Sequence, residues 1–270
     1  MGIIGISGKK RVGKDTVAKI IQGFDIWKKN LALQTEYPLS NVFVRAYVLN
    51  RVNIYVSSWE VKKFANKLKE IVSILTGFTV EALENEEIKN INLFLSYRLL
   101  NKKANTFEVF TSMEDLVERL NHLRTVYLDV YSAEEVNDLF VQETISITPR
   151  LLLQTIGTDI ARTIHPDIWI NSLMNDSISN ADAIRGTSEI KKLYPNWIIN
   201  DVRFPNEVKA IKKKDGIIIR INTESAYNST HSSETALDDY EDFDYTIDNS
   251  NCIDCLIEKL KEILKHEKII

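Results

Sequence analysis

The chain has 270 residues, of which 44% are hydrophobic and 27% are charged, and these proportions predict an ordinary globular protein. Its 34 Lys and Arg against 38 Asp and Glu give a net charge of −4, which argues against a general nucleic-acid binder. No apolar run approaches the ~20 residues that span a membrane, and the N-terminus lacks a signal-peptide pattern. We therefore expect a cytoplasmic protein without membrane or nucleic-acid partners (in the host cytoplasm, if the chain is viral).

The N-terminal segment predicts a strand, a loop and a helix. Residues 3–6 are a short apolar run of the kind found in buried strands, and residues 8–13 interrupt it with glycines at both ends. Residues 17–24 then carry apolar side chains at the spacing of one helix face. This order is typical of the first half of a βαβ unit in a parallel sheet.

Four later segments predict further strands of the same sheet. They are residues 58–64, 197–199, 217–221 and 243–247. Helical patterns follow several of them, including a last helix with apolar residues aligned from 253 to 264. The predicted fold is an α/β fold with a five-stranded parallel sheet flanked by helices on both faces.

Two stretches do not fit this sheet, and we interpret them as insertions in a single domain of residues 1–270. In the first, near 25–57, alternation over 42–56 predicts a β-hairpin. The second, near 90–147, is predicted to hold a helix at 112–123, a strand at 126–130 and a helix that begins after Ser132 with Glu135 in a capping box. A lid and a homodimer contact are both open as roles for these insertions. Residues 176–189 and 222–233 are polar and predict loops.

Residues 8–16, GKKRVGKDT, match the phosphate-binding pattern G-x-x-x-x-G-K at the predicted strand-to-helix junction. Glycines let backbone N–H groups surround a phosphate, and the helix N-terminus adds partial positive charge. A tight glycine turn with solvated lysines is the alternative. The pattern favours a P-loop three-layer fold and a nucleotide polyphosphate as ligand. The candidate ATP-binding residues are Gly8, Lys9, Arg11, Val12, Gly13, Lys14, Asp15 and Thr16.

The residue after the P-loop lysine is normally Ser or Thr, which binds Mg²⁺, but here it is Asp15. Asp15 would hold the metal through water or cap the helix, and Thr16 is placed for a phosphate oxygen. A second acidic candidate, Asp201, ends the predicted strand at 197–199, beside the P-loop in this architecture. Asp15, Thr16 and Asp201 are therefore the candidate Mg²⁺ residues. Arg203 would neutralise a transferring phosphoryl group, although Asp201 as a helix cap with Arg203 as its surface partner is the alternative.

Several stretches in register resemble the bacteriophage-type deoxynucleoside monophosphate kinases, within the nucleoside-monophosphate-kinase-like P-loop group. They are GISGKKRVGKDT (5–16), FANKLKEIVSILTG (64–77), LLQTIGTDIARTIHPDIWIN (152–171), NDVRFPNEVKAI (200–211), HSSETALDDY (231–240) and YTIDN (245–249). An aspartate after the P-loop lysine also resembles that family. The resemblance implies phosphorylation of a deoxynucleoside 5′-monophosphate to the diphosphate for DNA precursor synthesis, with ATP and Mg²⁺ as cofactors.

The resemblance also implies residue roles. The catalytic group would be Lys14, Arg203, Asp201 and Arg162. The substrate-binding residues would be Lys69, Gln154, Gly157, Thr158, Asp159, Arg162, Asp167 and Trp169. Arg162 suits a bidentate grip on a phosphate dianion, while Trp169 suits either base stacking or core packing.

Phosphoryl transfer to a phosphate oxyanion needs no general base, because the acceptor is already ionised. His165 and His231 are therefore interpreted as structural or hinge groups. Many kinases of this group carry a lid with arginines, yet residues 222–242 contain neither Arg nor Lys. The arginine finger must then come from elsewhere, and the candidates are Arg98, Arg119, Arg124, Arg150 and Arg162.

Two other functions stay open. A phosphomevalonate-kinase-like enzyme would share the P-loop and Lys-Asp pair but would use an acceptor without a base. A P-loop ATPase switch would act on a macromolecular partner, which the net charge of −4 disfavours when that partner is a nucleic acid. The two cysteines, Cys252 and Cys255, form C-x-x-C without a second pair at zinc spacing, so we expect both to be reduced and metal-free, with Cys252 on the apolar stripe of the last helix.

Overall fold

The computed structural model describes residues 2–52, 55–175, 196–223 and 231–270. The loop predicted at 176–189 lies outside the described residues, as do 53–54 of the predicted hairpin and 224–230 of the loop predicted at 222–233. The chain divides into two compact units, one of Met1–Lys67 with Ala161–Ile270 and one of Leu68–Ile160. Within the described ranges, no helix is long and apolar enough to cross a membrane.

The first unit contains the five-stranded parallel sheet. Its strands are β1 (Ile3–Ser7), β2 (Trp59–Lys62), β6 (Asn196–Val202), β7 (Ile217–Asn222) and β8 (Tyr245–Asp248), in the spatial order β2-β6-β1-β7-β8. Every neighbouring pair is parallel. The five predicted strands and the predicted fold class are confirmed. Because β1 is central, the loop that follows it lies between the ends of β6 and β7.

The helices described in the first unit are α1 (Lys14–Lys29), α2 (Leu31–Glu36), α3 (Ser40–Val48), α9 (Ala161–Ile164), α10 (Ile168–Asn175), α11 (Pro205–Lys212), α12 (Ser232–Thr235) and α13 (Ile253–His266). Successive side chains of β1 point to opposite faces of the sheet. Ile4 and Ile6 are buried in one core with α1, α3 and α13. A Cβ at Gly5 would lie 2.8 Å from Ile211 of α11, so the opposite face meets that helix.

The predicted hairpin at 42–56 is wrong, since residues 40–48 form helix α3. A hairpin would bury Val42 and Val44 together on one face. Instead Val42 is 53% exposed, whereas Phe43 and Val44 are fully buried. The side chains of Val44 and Tyr47 approach Gly23 of α1, which leaves room for close helix packing. The local alternation of valines was therefore overridden by a helical face that packs on α1.

The second unit has its own antiparallel sheet, in the order β4-β3-β5, from strands β3 (Phe94–Asn101), β4 (Thr106–Phe110) and β5 (Phe140–Ile147). Helices α6 (Met113–Tyr127) and α7 (Ala133–Leu139) supply its core together with β3 and β5. Helix α4 (Asn66–Thr76) enters this unit from the first. The remaining elements are a 3₁₀ helix (Ala82–Glu84), α5 (Glu86–Lys89), α8 (Pro149–Gln154) and a π-helix (Thr155–Ile160).

Two of the three elements predicted in this unit are confirmed. A helix covers most of 112–123, and Ser132 begins α7 with the capping box to Glu135. The strand predicted at 126–130 is wrong, because those residues are the end of α6 and the turn after it. Val126 and Val130 are exposed there, so the short apolar run has no sheet to join. The antiparallel strands were not predicted.

Candidate active site

The loop between β1 and α1 has the backbone that a phosphate-binding loop requires. Gly8 has φ 154° and Gly13 has φ 94°, which side-chain-bearing residues rarely adopt. A Cβ at Gly8 would lie 2.6 Å from the Ile221 carbonyl oxygen, and one at Gly13 would lie 2.8 Å from Asn249 Nδ2. Both positions therefore need glycine for conformation and for space. The loop ends at the N-terminus of the 16-residue helix α1, whose dipole favours an anion.

Lys14 folds back over this loop. Its Nζ donates to the carbonyl oxygens of Gly8 and Lys9, each at 2.6 Å. Burial and, after it, the charge of Arg203 lower the pKa of Lys14 to about 8, although Glu234, Asp15 and Asp201 act in the opposite direction. The Lys14 ammonium group is thus held inside the loop by two carbonyl oxygens. A bound anion would there add negative charge that stabilises the charged form of the lysine.

The end of β6 brings two polar residues to the same edge of the sheet. Asn200 Nδ2 donates to Asp15 Oδ1 at 2.6 Å, which joins this strand to the first turn of α1. Asn200 Oδ1 is buried and has no hydrogen-bond partner among the described residues. An amide oxygen without a hydrogen-bond partner, next to a carboxylate, provides the oxygen atoms that a hydrated Mg²⁺ ion prefers. The residues at this edge therefore fit the predicted metal.

Asp201 has a structural role at the turn between β2 and α4, whereas Arg203 pairs with Glu234 and not with Asp201. Its two carboxylate oxygens accept hydrogen bonds from the backbone N–H groups of Phe64, at 2.8 Å, and Ala65, at 3.0 Å. The carboxylate thereby fixes the turn before α4. Thr16 is half-buried in the first turn of α1. The metal-binding roles of Asp15, Thr16 and Asp201 stay predictions.

An acidic segment lies against the P-loop from the other side. Glu234 of α12 pairs with the Arg203 guanidinium and accepts from the Lys10 backbone N–H at 3.2 Å. Asp238 pairs with Lys9 Nζ at 3.1 Å. Both carboxylates belong to the stretch 231–240, which carries part of the family resemblance. Its carboxylates hold the loop's basic residues in place.

A single buried carboxylate joins the two arginines of the predicted catalytic group. Glu207 is 1% exposed; its Oε1 accepts from Arg162 Nη2 at 2.6 Å and its Oε2 accepts from the Arg203 backbone N–H at 2.7 Å. Burial and the nearby Asp201 raise the pKa of Glu207 to about 7, while the Arg203 N–H and Arg162 favour the charged form. Arg162 also stacks over the Phe204 ring, 3.8 Å from its centroid. The structure thus brings Arg162 and Arg203 together, through a residue that was not predicted.

The remaining candidates of the first unit are mostly engaged within it. Asp167 accepts from Asn206 Nδ2 at 2.7 Å and Trp169 is only 6% exposed, which agrees with the core-packing alternative for the tryptophan. His165 Nδ1 accepts from the Asp167 N–H at 3.0 Å. His231 caps α12 by accepting from the Ser233 N–H. Both histidines therefore have the local structural contacts that their interpretation expects.

Five predicted substrate residues belong to the second unit. Lys69 is buried and pairs with Glu84 at 2.5 Å. Gln154 ends α8, and Thr158 and Asp159 lie in the π-helix, a rare conformation that often occurs at functional sites. A Cβ at Gly157 would lie 2.5 Å from Leu68 Cδ2, so a side chain at this position would force Leu68 to move. These residues are thereby placed around one irregular helical segment.

The arginine-finger candidates of the second unit all have partners inside it. Arg119 pairs with Glu108 at 2.9 Å, Arg150 pairs with Glu86 at 2.6 Å, and Arg124 donates to Asn137 at 2.8 Å. The Arg98 guanidinium lies 4.9 Å from the centre of the Phe107 ring. Of the five candidates, Arg162 shares a hydrogen-bond network with Arg203 and the end of β6. Arg162 is therefore the candidate that the structure links to Arg203, and its role stays a prediction.

Asn249 is a further loop contact that the sequence did not predict. Its Nδ2 donates to the Val12 carbonyl oxygen at 3.0 Å and closes against Gly13. The signal was present, because the stretch YTIDN carries part of the family resemblance, but periodicity gave no reason to select its last residue. Among the described residues there is no group of three or more His, Cys, Asp or Glu side chains arranged to hold a metal ion. This is compatible with Mg²⁺ held mainly by water and phosphate oxygens.

A glycine loop with its lysine follows the central parallel strand, Arg203 follows the adjacent strand β6, and Arg162 is linked to Arg203 through Glu207. This arrangement is typical of a P-loop phosphotransferase. The model of one such family, described as deoxynucleotide monophosphate kinase, matches residues 2–260. The chain therefore belongs to the deoxynucleotide monophosphate kinase family, as the resemblance predicted.

Two viral proteins are similar to this chain. A protein of Escherichia phage T5 named "Deoxynucleoside-5′-monophosphate kinase" is 23% identical over 251 residues, which are 87% of this chain and 84% of that protein. A protein of Acanthamoeba polyphaga mimivirus named "Putative deoxynucleotide monophosphate kinase" is 27% identical over 141 residues. That alignment covers 46% of this chain and 65% of the mimivirus protein, just under two thirds of its length.

Proposed function

We propose that this chain transfers the γ-phosphoryl group of ATP to a deoxynucleoside 5′-monophosphate and releases the diphosphate. Membership of the kinase family supports the reaction type, and the names of both viral relatives support the acceptor class. The observation that carries the proposal is the network around Glu207, which holds one arginine beside the P-loop and a second one next to it. Two phosphate-binding groups at one edge of the sheet suit a reaction with a phosphate donor and a phosphate acceptor.

The chemistry follows from charge and position. The transition state of phosphoryl transfer is loose, with charge spread over the equatorial oxygens, so fixed cations beside it lower the barrier. Lys14 and the loop N–H groups would bind the β- and γ-phosphates. Arg203 would face the transferring group, and Arg162 would grip the acceptor phosphate. Glu207 keeps both arginines in register. No side chain needs to remove a proton, because the attacking oxygen is already an anion.

Mg²⁺ would be held by Asp15, Thr16 and Asp201, with Asn200 Oδ1 as an acceptor for its water. When bound, the ion neutralises phosphate charge and aligns the donor. The family resemblance implies substrate binding for Lys69, Gln154, Thr158 and Asp159 of the second unit and for Asp167 of the first unit, while the burial of Trp169 favours core packing. Recognition of a base by a few hydrogen bonds separates this function from that of a phosphomevalonate-kinase-like enzyme, whose acceptor carries no base.

An ADP-release assay with MgATP tests the proposal. The acceptor panel is dAMP, dGMP, dCMP, dTMP, AMP, GMP and mevalonate 5-phosphate. We expect turnover with at least one deoxynucleotide and much weaker activity with ribonucleotides and mevalonate phosphate. Acceptor-dependent ADP from mevalonate phosphate alone would contradict the acceptor class. Steady hydrolysis that ignores every acceptor and responds to a macromolecule would favour an ATPase switch instead.

Variants separate the two phosphate sites. Lys14→Ala should lower kcat by about 10³-fold or more, because it removes charge from the transition state. Arg162→Ala should mainly raise the KM for the monophosphate while leaving the KM for ATP within about threefold. Lys212→Ala is the matched control, because Lys212 is a partly exposed cation that pairs with Asp242 and Asp244 outside the site. An Arg162→Ala enzyme with the control's kinetics would remove Arg162 from the site.

A further inference from the structure

The two cysteines of the chain form a close pair at the start of α13. Cys252 is the N-cap residue of this 14-residue helix, and Cys255 lies in its first turn. Their Sγ atoms are 3.0 Å apart, and both residues are exposed. Cys252 was expected on the apolar stripe of the helix, and this expectation is wrong, because the stripe is formed by Leu256, Ile257, Leu260 and Leu264. Neither thiol is therefore needed for the core.

The surroundings give the two sulfurs different chemical characters. A hydrogen bond from the Cys255 thiol lowers the pKa of Cys252, helped by the backbone N–H groups of Cys255 and Asp254. The same thiol contact raises the pKa of Cys255. A thiol at a helix N-terminus with exposed sulfur is the arrangement that favours an attacking thiolate, and its neighbour three residues later is placed to resolve a mixed disulfide. A disulfide needs an S–S distance of about 2.05 Å, so closure requires about 1 Å of movement.

The turn before this pair is the one that contacts the P-loop. Asn249 lies three residues before Cys252 and donates to the Val12 carbonyl oxygen at 3.0 Å. Ser250 is tied back to Asp248 through hydrogen bonds to one carboxylate oxygen. Beyond the first turn, α13 is anchored by its buried stripe. Any backbone movement of Cys252 toward Cys255 would therefore have to be taken up by the short turn that carries Asn249.

We propose that Cys252 and Cys255 form a reversible intramolecular disulfide by exchange with an external disulfide, and that this oxidation weakens nucleotide binding by displacing Asn249 from the P-loop. The Cys252 thiolate attacks one sulfur of the external disulfide, forms a mixed disulfide and releases one thiolate, which takes up a proton. Deprotonated Cys255 then attacks the Cys252 sulfur and expels the second thiol. The protein loses two electrons and two protons, and the external disulfide is reduced to two thiols.

Redox titration of the full chain tests disulfide formation independently of kinase activity. The protein is equilibrated in mixtures of glutathione and glutathione disulfide, alkylated with N-ethylmaleimide and analysed by intact mass and peptide mapping. We expect a 252–255 disulfide that dithiothreitol reverses. Cys255→Ser should instead trap one glutathione on Cys252, because the resolving thiol is gone. Two free thiols in every mixture, or an intermolecular product on a non-reducing gel, would overturn the proposal.

The coupling to the nucleotide loop has a separate measurement. We expect the Kd for ATP, measured by calorimetry, to be at least about threefold higher for the oxidised chain than for the reduced chain. Cys252→Ser keeps a good N-cap residue and should bind ATP with the reduced affinity whether or not glutathione disulfide is present. Equal affinities of the oxidised and reduced wild-type chains would overturn the coupling.

Discussion

At the residue scale, Lys14 combines a required positive charge with a buried position. Its pKa is lowered to about 8, mainly by burial. In the free protein Lys14 is therefore charged below pH 8 and becomes neutral as the pH rises above it. ATP needs the charged form, so binding above pH 8 must first take up a proton. The lysine thus links nucleotide affinity to pH.

We expect the Kd for ATP to be constant below about pH 8 and to rise by up to about tenfold per pH unit above it. Calorimetry at several pH values, in buffers of different ionisation enthalpy, measures both the Kd and the proton uptake. Lys14→Arg is the control, because a guanidinium group stays charged throughout and should remove the step. A wild-type Kd that is flat from pH 7.5 to 9.5 would contradict this account.

The hydrogen bonds of Glu207 predict that its substitution lowers both activity and stability. Its carboxylate accepts from Arg162 and from the backbone N–H groups of Arg203 and Phe204. Glu207→Gln leaves one acceptor oxygen and turns an NH₂ group toward one of these donors. We expect kcat/KM to fall about 10- to 100-fold and the free energy of unfolding to fall by about 1–3 kcal/mol. Steady-state kinetics and urea unfolding measure the two effects.

The matched control for this change is Glu60→Gln. Glu60 pairs with Lys62 on the exposed side of β2, where an ion pair contributes little. The control should change stability by less than about 1 kcal/mol and leave kcat/KM unchanged. If Glu207→Gln behaves like this control, Glu207 does not position the arginines.

At the element scale, the start of α7 shows a local signal that sufficed for correct prediction. The Glu135 N–H donates to Ser132 Oγ at 3.3 Å, and Glu135 Oε2 accepts from the Ser132 N–H at 2.8 Å. Both bonds lie within four residues of sequence, so the pattern alone determines them. Val42, Val44, Ala46 and Val48 are the opposite case, because their alternation matches a strand while packing on α1 selects a helix.

The capping box makes a stability prediction for the second unit. Ser132→Ala should lower its free energy of unfolding by about 1 kcal/mol, since one N–H group of α7 loses its acceptor. Hydrogen exchange of α7 and β5 amides measures the loss, and Ser146→Ala on exposed β5 should leave it unchanged. The Kd for ATP should be the same in both variants. An unaltered exchange rate in Ser132→Ala would mean that the cap contributes nothing.

At the scale of the whole molecule, the described core that Ile4 and Ile6 form with α1, α3 and α13, on one face of the parallel sheet, consists of residues of the first unit. Within the second unit, the Leu93 N–H donates to the Ile147 carbonyl oxygen at 2.9 Å, so the two ends of the segment between them are adjacent. The insertion near residues 90–147 stays a prediction, and the adjacent ends allow it to be tested with a short linker.

We expect replacement of residues 94–146 by an Asn-Gly turn to leave a folded protein that binds ATP within about threefold of the wild-type Kd. Circular dichroism and calorimetry measure fold and binding, with Lys14→Ala as the control for lost binding. Light scattering of the same variant tests the predicted homodimer contact. If the contact lies in this segment, the wild-type chain is a dimer and the deletion variant is a monomer. An unfolded deletion variant would contradict the insertion.

The residues of the candidate site that were predicted from the sequence lie in short motifs, whereas those that were missed act through contacts distant in the chain. The glycines, Lys14 and Arg203 were predicted, because each lies in a short motif with its own chemistry. Glu207 and Glu234 were not, because they act through partners that are distant in sequence. Arg162 and Glu207 are 45 residues apart, and Lys10 and Glu234 are 224 residues apart. No local sequence pattern around a helical glutamate predicts a partner so distant in the chain.

The sequence by itself determined the five parallel strands, the P-loop at the first strand-to-helix junction and the family. Each of these depends on periodicity or on residues close together in the chain. Only the tertiary structure decided that residues 40–48 are helical, that the second unit contains an antiparallel sheet, and that Glu207, Glu234 and Asn249 hold the loop and its arginines. The physical reason is burial, because a carboxylate or a helix face is selected by neighbours that folding brings from elsewhere in the chain.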